Sequence, residues 1–89
     1  MKQLPQLQMM TRKGCCLCDD VHIAGDLAQR NGLCHFETID VDSDAIYLKK
    51  YGNDVPVLLI NGEEIMRHFV EYPKLIVALE SAKQRMNNE

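Results

Sequence analysis

The chain has 89 residues, 46% of them apolar, which fits one small domain (residues 1–89) with its own core and excludes a second domain. Its formal charge is −3 and its basic residues are scattered, so we expect no nucleic acid partner. Glutamines and a proline interrupt the start of the chain, and no long apolar run follows. We therefore predict a soluble, cytoplasmic protein without a membrane partner.

The first elements along the chain are a predicted strand and a predicted helix. Polar and apolar residues alternate over Gln6–Met10, which predicts a strand, and a loop containing Gly14 follows. Apolar residues at helical spacing then predict a helix over Cys16–Asn31, with Gly32 placed to end it. The positions expected to face the core are Leu17, Val21, Ala24 and Ala28, with Ile23 and Leu27 widening the stripe.

The rest of the chain predicts a strand, a helix, a hairpin and a last helix. Cys34–Val41 has strand character, and the polar residues after it can cap a helix that ends near Tyr51. Val55–Ile60 and Glu63–Phe69 are two strands joined by an Asn-Gly turn, and an apolar face predicts a helix from Pro73 to Met86. The order βαβ-α-ββ-α predicts an α/β fold with a four-stranded mixed sheet, whose first two strands are parallel.

Three cysteines stand close together where the first helix begins. Cys15 and Cys18 have the Cys-x-x-Cys spacing, which brings two sulfurs to one face of a helix turn, close enough to form a disulfide. Cys16 is adjacent to Cys15, and neighbouring cysteines form a disulfide only with strain. Cys34 is expected to be a small buried apolar residue. The leading hypothesis is a thiol–disulfide couple formed by Cys15 and Cys18.

The position of Cys15 suggests that it is the attacking thiolate. The free N–H groups at a helix N-terminus favour an anion, and Arg12 and Lys13 favour it too, whereas the two aspartates after Cys18 oppose it. Cys18 lies one turn into the helix and is expected to be less exposed. We therefore predict that Cys15 attacks a substrate disulfide and that Cys18 resolves the mixed disulfide.

Two other classes of function are compatible with these residues. Cys15, Cys16 and Cys18 are soft ligands suited to Cu(I), zinc or an iron–sulfur cluster. A fourth ligand would have to come from elsewhere in the fold, for which Cys34, His35 and His22 are the candidates. The chain could also be a non-catalytic interaction module whose cysteines cycle without reducing a substrate.

A proline opens the third predicted strand and is the second informative feature. Pro56 suits a strand start, and base rates alone favour a trans bond there. Together, Gly14–Asp20, Asp40–Asp42 and Val55–Leu58 before the Asn-Gly turn resemble the glutaredoxin-like family of the thioredoxin superfamily, in the branch with a Cys-x-Leu-Cys site. The resemblance implies a thioredoxin-like three-layer α/β/α fold with a cis Pro56 beside the cysteine pair.

The resemblance also implies how a substrate binds. It assigns the backbone of Val55, next to Pro56, to pairing with an extended substrate such as a cysteine-containing peptide. Glutathione-dependent members usually have Gly-Gly and an acidic residue after the hairpin, whereas Met66–Glu71 stands here, which argues against glutathione binding. The expected protein is a monomeric thiol–disulfide oxidoreductase with no bound cofactor. Its partners are a disulfide-containing protein or small thiol and an external thiol reductant.

Overall fold

A computed structural model describes residues 3–87, apart from the side chain of Cys16. Its elements follow the predicted order, and a short 3-10 turn at Val41–Ser43 precedes the second helix. Cys34 lies just before the second strand rather than in it. The helices and strands are β1 (Gln6–Thr11), α1 (Cys16–Arg30), β2 (His35–Asp40), α2 (Ala45–Tyr51), β3 (Val57–Ile60), β4 (Glu63–Arg67) and α3 (Tyr72–Met86).

The four strands form one mixed sheet in the order β2-β1-β3-β4. β1 is parallel to β2, and β3 is antiparallel to β4, as the sequence predicts. β1 and β3 also pair, in the antiparallel sense. The register is irregular between Leu58 and Leu59, with the result that Val57 lies opposite Arg67. Both predicted hairpin strands are shorter than expected, because β3 begins after Pro56 and β4 ends at Arg67.

Each face of the sheet has its own apolar cluster, because side chains alternate along the strands. On one face, strand residues pack with α1 and α3; on the other, they pack with the 3-10 turn and α2. The sheet is therefore enclosed between two helical layers. The first cluster takes Leu7, Met9, Leu58 and Ile60 from the strands, and the second takes Met10, Val57 and Leu59.

The buried face of α1 is narrower than the sequence pattern predicts. Leu17, Ile23 and Leu27 are 52%, 66% and 44% exposed. The expectation that Leu17 faces the core is therefore wrong, and so is the expectation that Ile23 and Leu27 widen the buried stripe. Gly25 explains the difference, because a side chain there would overlap the ring of Phe36 on β2. The helix approaches the sheet closely through small residues and turns its larger ones outward. The residues of α1 that it buries in the core are Cys18, Val21, Ala24 and Ala28.

The other two helices begin as their sequences suggest. The Asp44 carboxylate caps α2 by accepting the backbone N–H of Ile46 at 2.8 Å. In α3, Pro73 occupies the first turn, where its missing N–H costs no helical hydrogen bond. The buried residues of α3 are Leu75, Leu79 and Ala82. Between residues 3 and 87, none of the helices combines the length and apolar character needed to cross a bilayer.

The amino end of β1 lies beside the last residues of α3. The backbone N–H of Gln3 donates to Oδ1 of Asn87 at 3.0 Å, and Nδ2 of Asn87 donates to the carbonyl of Gln3 at 3.1 Å. The Asn61–Gly62 turn is at this end too, where Oδ1 of Asn61 accepts the N–H of Gln6 at 2.9 Å. The cysteines follow the opposite end of β1.

Candidate active site

The loop after β1 places Cys15 at the N-cap of α1. Gly14 has a φ of 85°, a conformation that favours glycine, and it turns the chain from the strand into the helix. The N–H of Cys15 donates to the carbonyl of Arg12 at 3.2 Å, and the N–H of Cys18 donates to the carbonyl of Cys15 at 3.3 Å. Cys15 is half-buried. Its sulfur is thus carried by a short, hydrogen-bonded turn at the N-terminus of a helix.

Cys18 is the inner member of the pair. It is 5% exposed, and its side chain lies near that of Cys15. Burial is the main cause that raises the pKa of the Cys18 thiol, and interaction with the Cys15 side chain raises it further, although Thr11 acts in the opposite direction. The prediction that Cys18 is less exposed than Cys15 is confirmed. The pair therefore has a half-buried outer cysteine and a buried inner one whose thiol is harder to ionise.

The segment before β3 brings a backbone carbonyl to Cys15. The thiol of Cys15 donates to the carbonyl of Val55, with 3.9 Å between sulfur and oxygen. The Val55–Pro56 peptide bond is cis, and Pro56 is buried while Val55 keeps part of its surface exposed. The structure thus brings all four predicted site residues together. A shallow depression of about 370 Å³ opens beside Cys15 and is lined by residues 11–15, Cys18 and Asp19.

Arg12 has a different environment from the one expected. Its Nε lies 3.1 Å from a carboxylate oxygen of Asp42, and its Nη1 donates to the carbonyl of Gly52 at 3.3 Å. Because Asp42 offsets its charge, Arg12 contributes less to favouring a thiolate than the sequence suggests. Lys13 is exposed and lines the depression. Arg12 instead connects the cysteine loop to the end of α2.

The sequence reasoning missed a charged cluster beside Val55. Nη1 of Arg67 lies 2.8 Å from Oδ2 of Asp54, and the same guanidinium also binds Glu64. This contact lowers the pKa of Glu64. Nε2 of His68 lies 3.4 Å from Oδ1 of Asp54, and the N–H of His68 donates to the carbonyl of Pro56 at 2.7 Å. The sequence did carry one signal for this cluster, because Asp54 directly precedes Val55 and Pro56.

The remaining candidate residues are Cys34 and the other predicted metal ligands. Cys34 is 1% exposed, and burial raises its pKa to about 11, in keeping with an inert core thiol. His22 lies edge-on to the ring of Phe36. Among the side chains that the structure describes, no three His, Cys, Asp or Glu residues are grouped to hold a metal ion. The metal hypothesis also depends on Cys16, whose side chain lies outside the part of the chain that the structure describes.

Comparison with known proteins identifies the family. The profile of the Glutaredoxin-like domain (DUF836) matches residues 6–80, which span the sheet, the cysteine pair and most of α3. The chain belongs to this glutaredoxin-like family. The protein is also 36% identical over 67 residues to the uncharacterized protein Rv0508 of Mycobacterium tuberculosis. Mb0520 of Mycobacterium bovis matches equally well, and each match covers 67% of both chains.

Solved structures share the fold of this glutaredoxin-like protein. A malarial protein superposes with a TM-score of 0.66 at 20% identity, covering 89% of this chain and 96% of its own. Thioredoxin-2 of the malaria parasite superposes with a TM-score of 0.62 at 23% identity, covering 91% of this chain and 85% of its own. Fasciola hepatica thioredoxin superposes with a TM-score of 0.58 at 20% identity, covering 91% of this chain and 83% of its own. The predicted thioredoxin-like α/β fold is confirmed.

Proposed function

We propose that this glutaredoxin-like protein is a thiol–disulfide oxidoreductase that uses Cys15 and Cys18 as its redox pair. The observation that carries the proposal is the environment of Cys15. Its sulfur is half-buried at the start of α1, contacts the carbonyl of Val55 and lies near the side chain of the buried Cys18. An accessible thiol beside both a second thiol and a backbone acceptor has the geometry that disulfide exchange requires.

In the first step, the Cys15 thiolate attacks one sulfur of a substrate disulfide R–S–S–R′. The S–S bond of the substrate breaks, R′ leaves as a thiolate, and R remains bound to Cys15 through a mixed disulfide. The unpaired N–H groups at the start of α1 favour the negative charge on the attacking sulfur. The backbone of Val55, set by Pro56, pairs with an extended substrate and aligns its disulfide with Cys15.

In the second step, Cys18 resolves the mixed disulfide. Its thiol loses a proton to solvent and attacks the sulfur of Cys15, which releases R as a thiolate and leaves a Cys15–Cys18 disulfide. Burial is the main cause that raises the pKa of Cys18, and interaction of its thiol with the Cys15 side chain raises it further. Formation of the mixed disulfide removes that contribution, which makes Cys18 easier to ionise when it is needed.

The substrate has gained two electrons, and an external thiol reductant must return them to the protein. The reaction needs no bound cofactor. We place it in the cytoplasm, where reducing thiols are maintained, and expect the protein to act as a monomer. Glutathione is an unfavoured reductant, because Met66–Glu71 stands where glutathione-dependent members usually have a glycine pair and an acidic residue.

Trapping of the mixed disulfide tests the assignment of roles. The Cys18→Ser variant is incubated with a peptide disulfide, and intact mass followed by peptide mapping locates the adduct. We expect it to accumulate on Cys15 in this variant and to be absent from Cys15→Ser. Cys34→Ala is the matched control and should cycle as the wild type does, because its thiol is buried. An adduct on Cys18 in the Cys15→Ser variant would reverse the roles.

Turnover with defined reductants separates the three classes of function. The wild type should reduce a peptide disulfide with thioredoxin reductase or glutathione as electron donor. No turnover with either, although the cysteine pair cycles between thiol and disulfide, would favour a non-catalytic interaction module. Stoichiometric metal with protected thiols in anaerobically purified protein would favour the metal hypothesis through Cys15, Cys16 and Cys18.

A further inference from the structure

We infer that Arg67 and Arg12 are positioning residues that hold the segment Gly52–Pro56 from two sides and so fix the backbone of Val55 against Cys15. The inference rests on the proposed function, because this segment is where the substrate is proposed to bind. It assigns to the two arginines a role in holding the backbone with which a peptide substrate is proposed to pair. Neither of them is assigned a part in the exchange reaction itself.

Arg67 holds the segment from the side of β4. Its guanidinium lies 2.8 Å from Asp54, the residue directly before Val55, and also binds Glu64 on its own strand. The ring of His68 approaches the other oxygen of Asp54 at 3.4 Å. The N–H of His68 donates to the carbonyl of Pro56, the residue directly after Val55. Contacts from this side therefore reach both neighbours of Val55.

Arg12 holds the segment from the side of the cysteine loop. Its Nη1 donates to the carbonyl of Gly52, where α2 ends, while its Nε binds Asp42. Arg12 is three residues before Cys15, and its own carbonyl accepts the N–H of Cys15. One residue therefore contacts both the loop that carries the attacking sulfur and the segment that carries the Val55 carbonyl.

The segment needs such contacts because it belongs to neither α2 nor β3. One backbone hydrogen bond connects the segment to α2: the N–H of Asp54 donates to the carbonyl of Tyr51, the last residue of that helix, at 2.8 Å. Val55 itself packs at the margin of both apolar clusters and is only partly buried. A guanidinium offers several donors in a fixed plane and can bind two acceptors at once, which a lysine ammonium does less well. Two arginines can therefore align two loops that burial alone does not fix.

Two kinds of substrate distinguish positioning from general damage. A peptide disulfide can pair with the backbone of Val55, whereas a small disulfide without a peptide backbone cannot. We expect Arg67→Ala to raise KM for the peptide about fivefold, the scale expected for losing one exposed ion-pair network, while kcat stays close to that of the wild type. The same variant should reduce the small disulfide at the wild-type rate. Arg67→Lys should recover part of the loss.

The matched control is Arg30→Ala, since Arg30 is also an exposed arginine paired with one carboxylate, Asp26, but lies at the far end of α1. Arg30→Ala should leave KM and kcat unchanged for both substrates. Asp54→Ala should raise KM as Arg67→Ala does, and the double variant should be no worse than either single one. Equal losses on both substrates, or additive effects in the double variant, would overturn the inference.

A measurement without any substrate keeps this inference separate from the proposed function. The ¹⁵N heteronuclear NOE of the Asp54 and Val55 amides should fall in Arg67→Ala and Arg12→Ala and stay unchanged in Arg30→Ala. If the wild type turns over no disulfide but these amides lose order, the proposed reaction is wrong and the positioning role stands. If turnover is normal and the amides keep their order in both variants, the positioning role is wrong.

Discussion

The candidate-site end of this protein and its core are stabilised by different kinds of contact. At the site, the Arg12 and Arg67 side chains that connect the loops are 42% and 38% exposed, and they bind carboxylates and a carbonyl. In the core, Leu7 and Leu79 are 0% exposed and make apolar contacts. Exposed ion pairs add little to stability, whereas burial adds much. Site geometry and fold stability can therefore be changed separately.

The largest effect should come from the core. Leu79→Ala removes a fully buried side chain between α3 and the sheet and should lower the free energy of unfolding by about 2–5 kcal/mol. Urea titration measures this. Val77→Ala is the control on the same helix, because Val77 is 62% exposed, and it should change the free energy by less than about 0.5 kcal/mol. Equal effects of the two would contradict the distinction between core and surface.

A smaller effect should come from the contact between α1 and β2. Gly25→Ala places a methyl group against the ring of Phe36 and should destabilise the protein by about 1 kcal/mol, because the ring must move aside. In a Phe36→Ala background, the same substitution should stabilise the protein, since alanine favours a helix over glycine by about that amount. Thermal or urea unfolding of the wild type, the two single variants and the double variant measures this change of sign. Destabilisation in both backgrounds would mean that the ring is not the cause.

A third effect should appear only at alkaline pH. The pKa of Cys34 is raised from an ordinary 9.0 to about 11, so the unfolded chain releases this proton at a lower pH than the folded protein does. The unfolded state then binds fewer protons, and stability falls as pH rises from about 9 to 11. Cys34→Ala should flatten this decline in urea titrations under excess reductant. An unchanged slope would show that another group is responsible, of which Cys18 is the first candidate.

The smallest effect should come from salt. At about 1 M salt, charges are screened beyond about 3 Å, which weakens the exposed contacts of Arg12 and Arg67 more than the core. KM for a peptide disulfide should then rise about twofold, with little change in the free energy of unfolding. Reduction of a small disulfide in the same buffers is the control. A fall in stability that parallels the change in KM would mean that site and core are coupled.

The sequence was sufficient for the elements and the cysteine pair, because local patterns encode them. Alternation predicted the strands, and the Cys-x-x-Cys spacing placed Cys15 and Cys18 at the start of α1. The contact between Arg67 and Asp54 was missed because it depends on an irregular register, which moves Arg67 opposite Val57. The exposure of Leu27 was missed for a similar reason, since the close approach at Gly25 is set by Phe36 on another element.

The hydrogen bonds between Gln3 and Asn87 have a practical consequence for attaching the protein to other molecules. They bring both described ends to one corner, and β1, about 20 Å long at about 3.3 Å per residue, separates that corner from Cys15. A fusion partner, affinity tag or surface linker joined before Gln3 or after Asn87 would leave the molecule on the side away from Cys15. Immobilised protein should therefore present the end that carries Cys15 and Cys18 to solution.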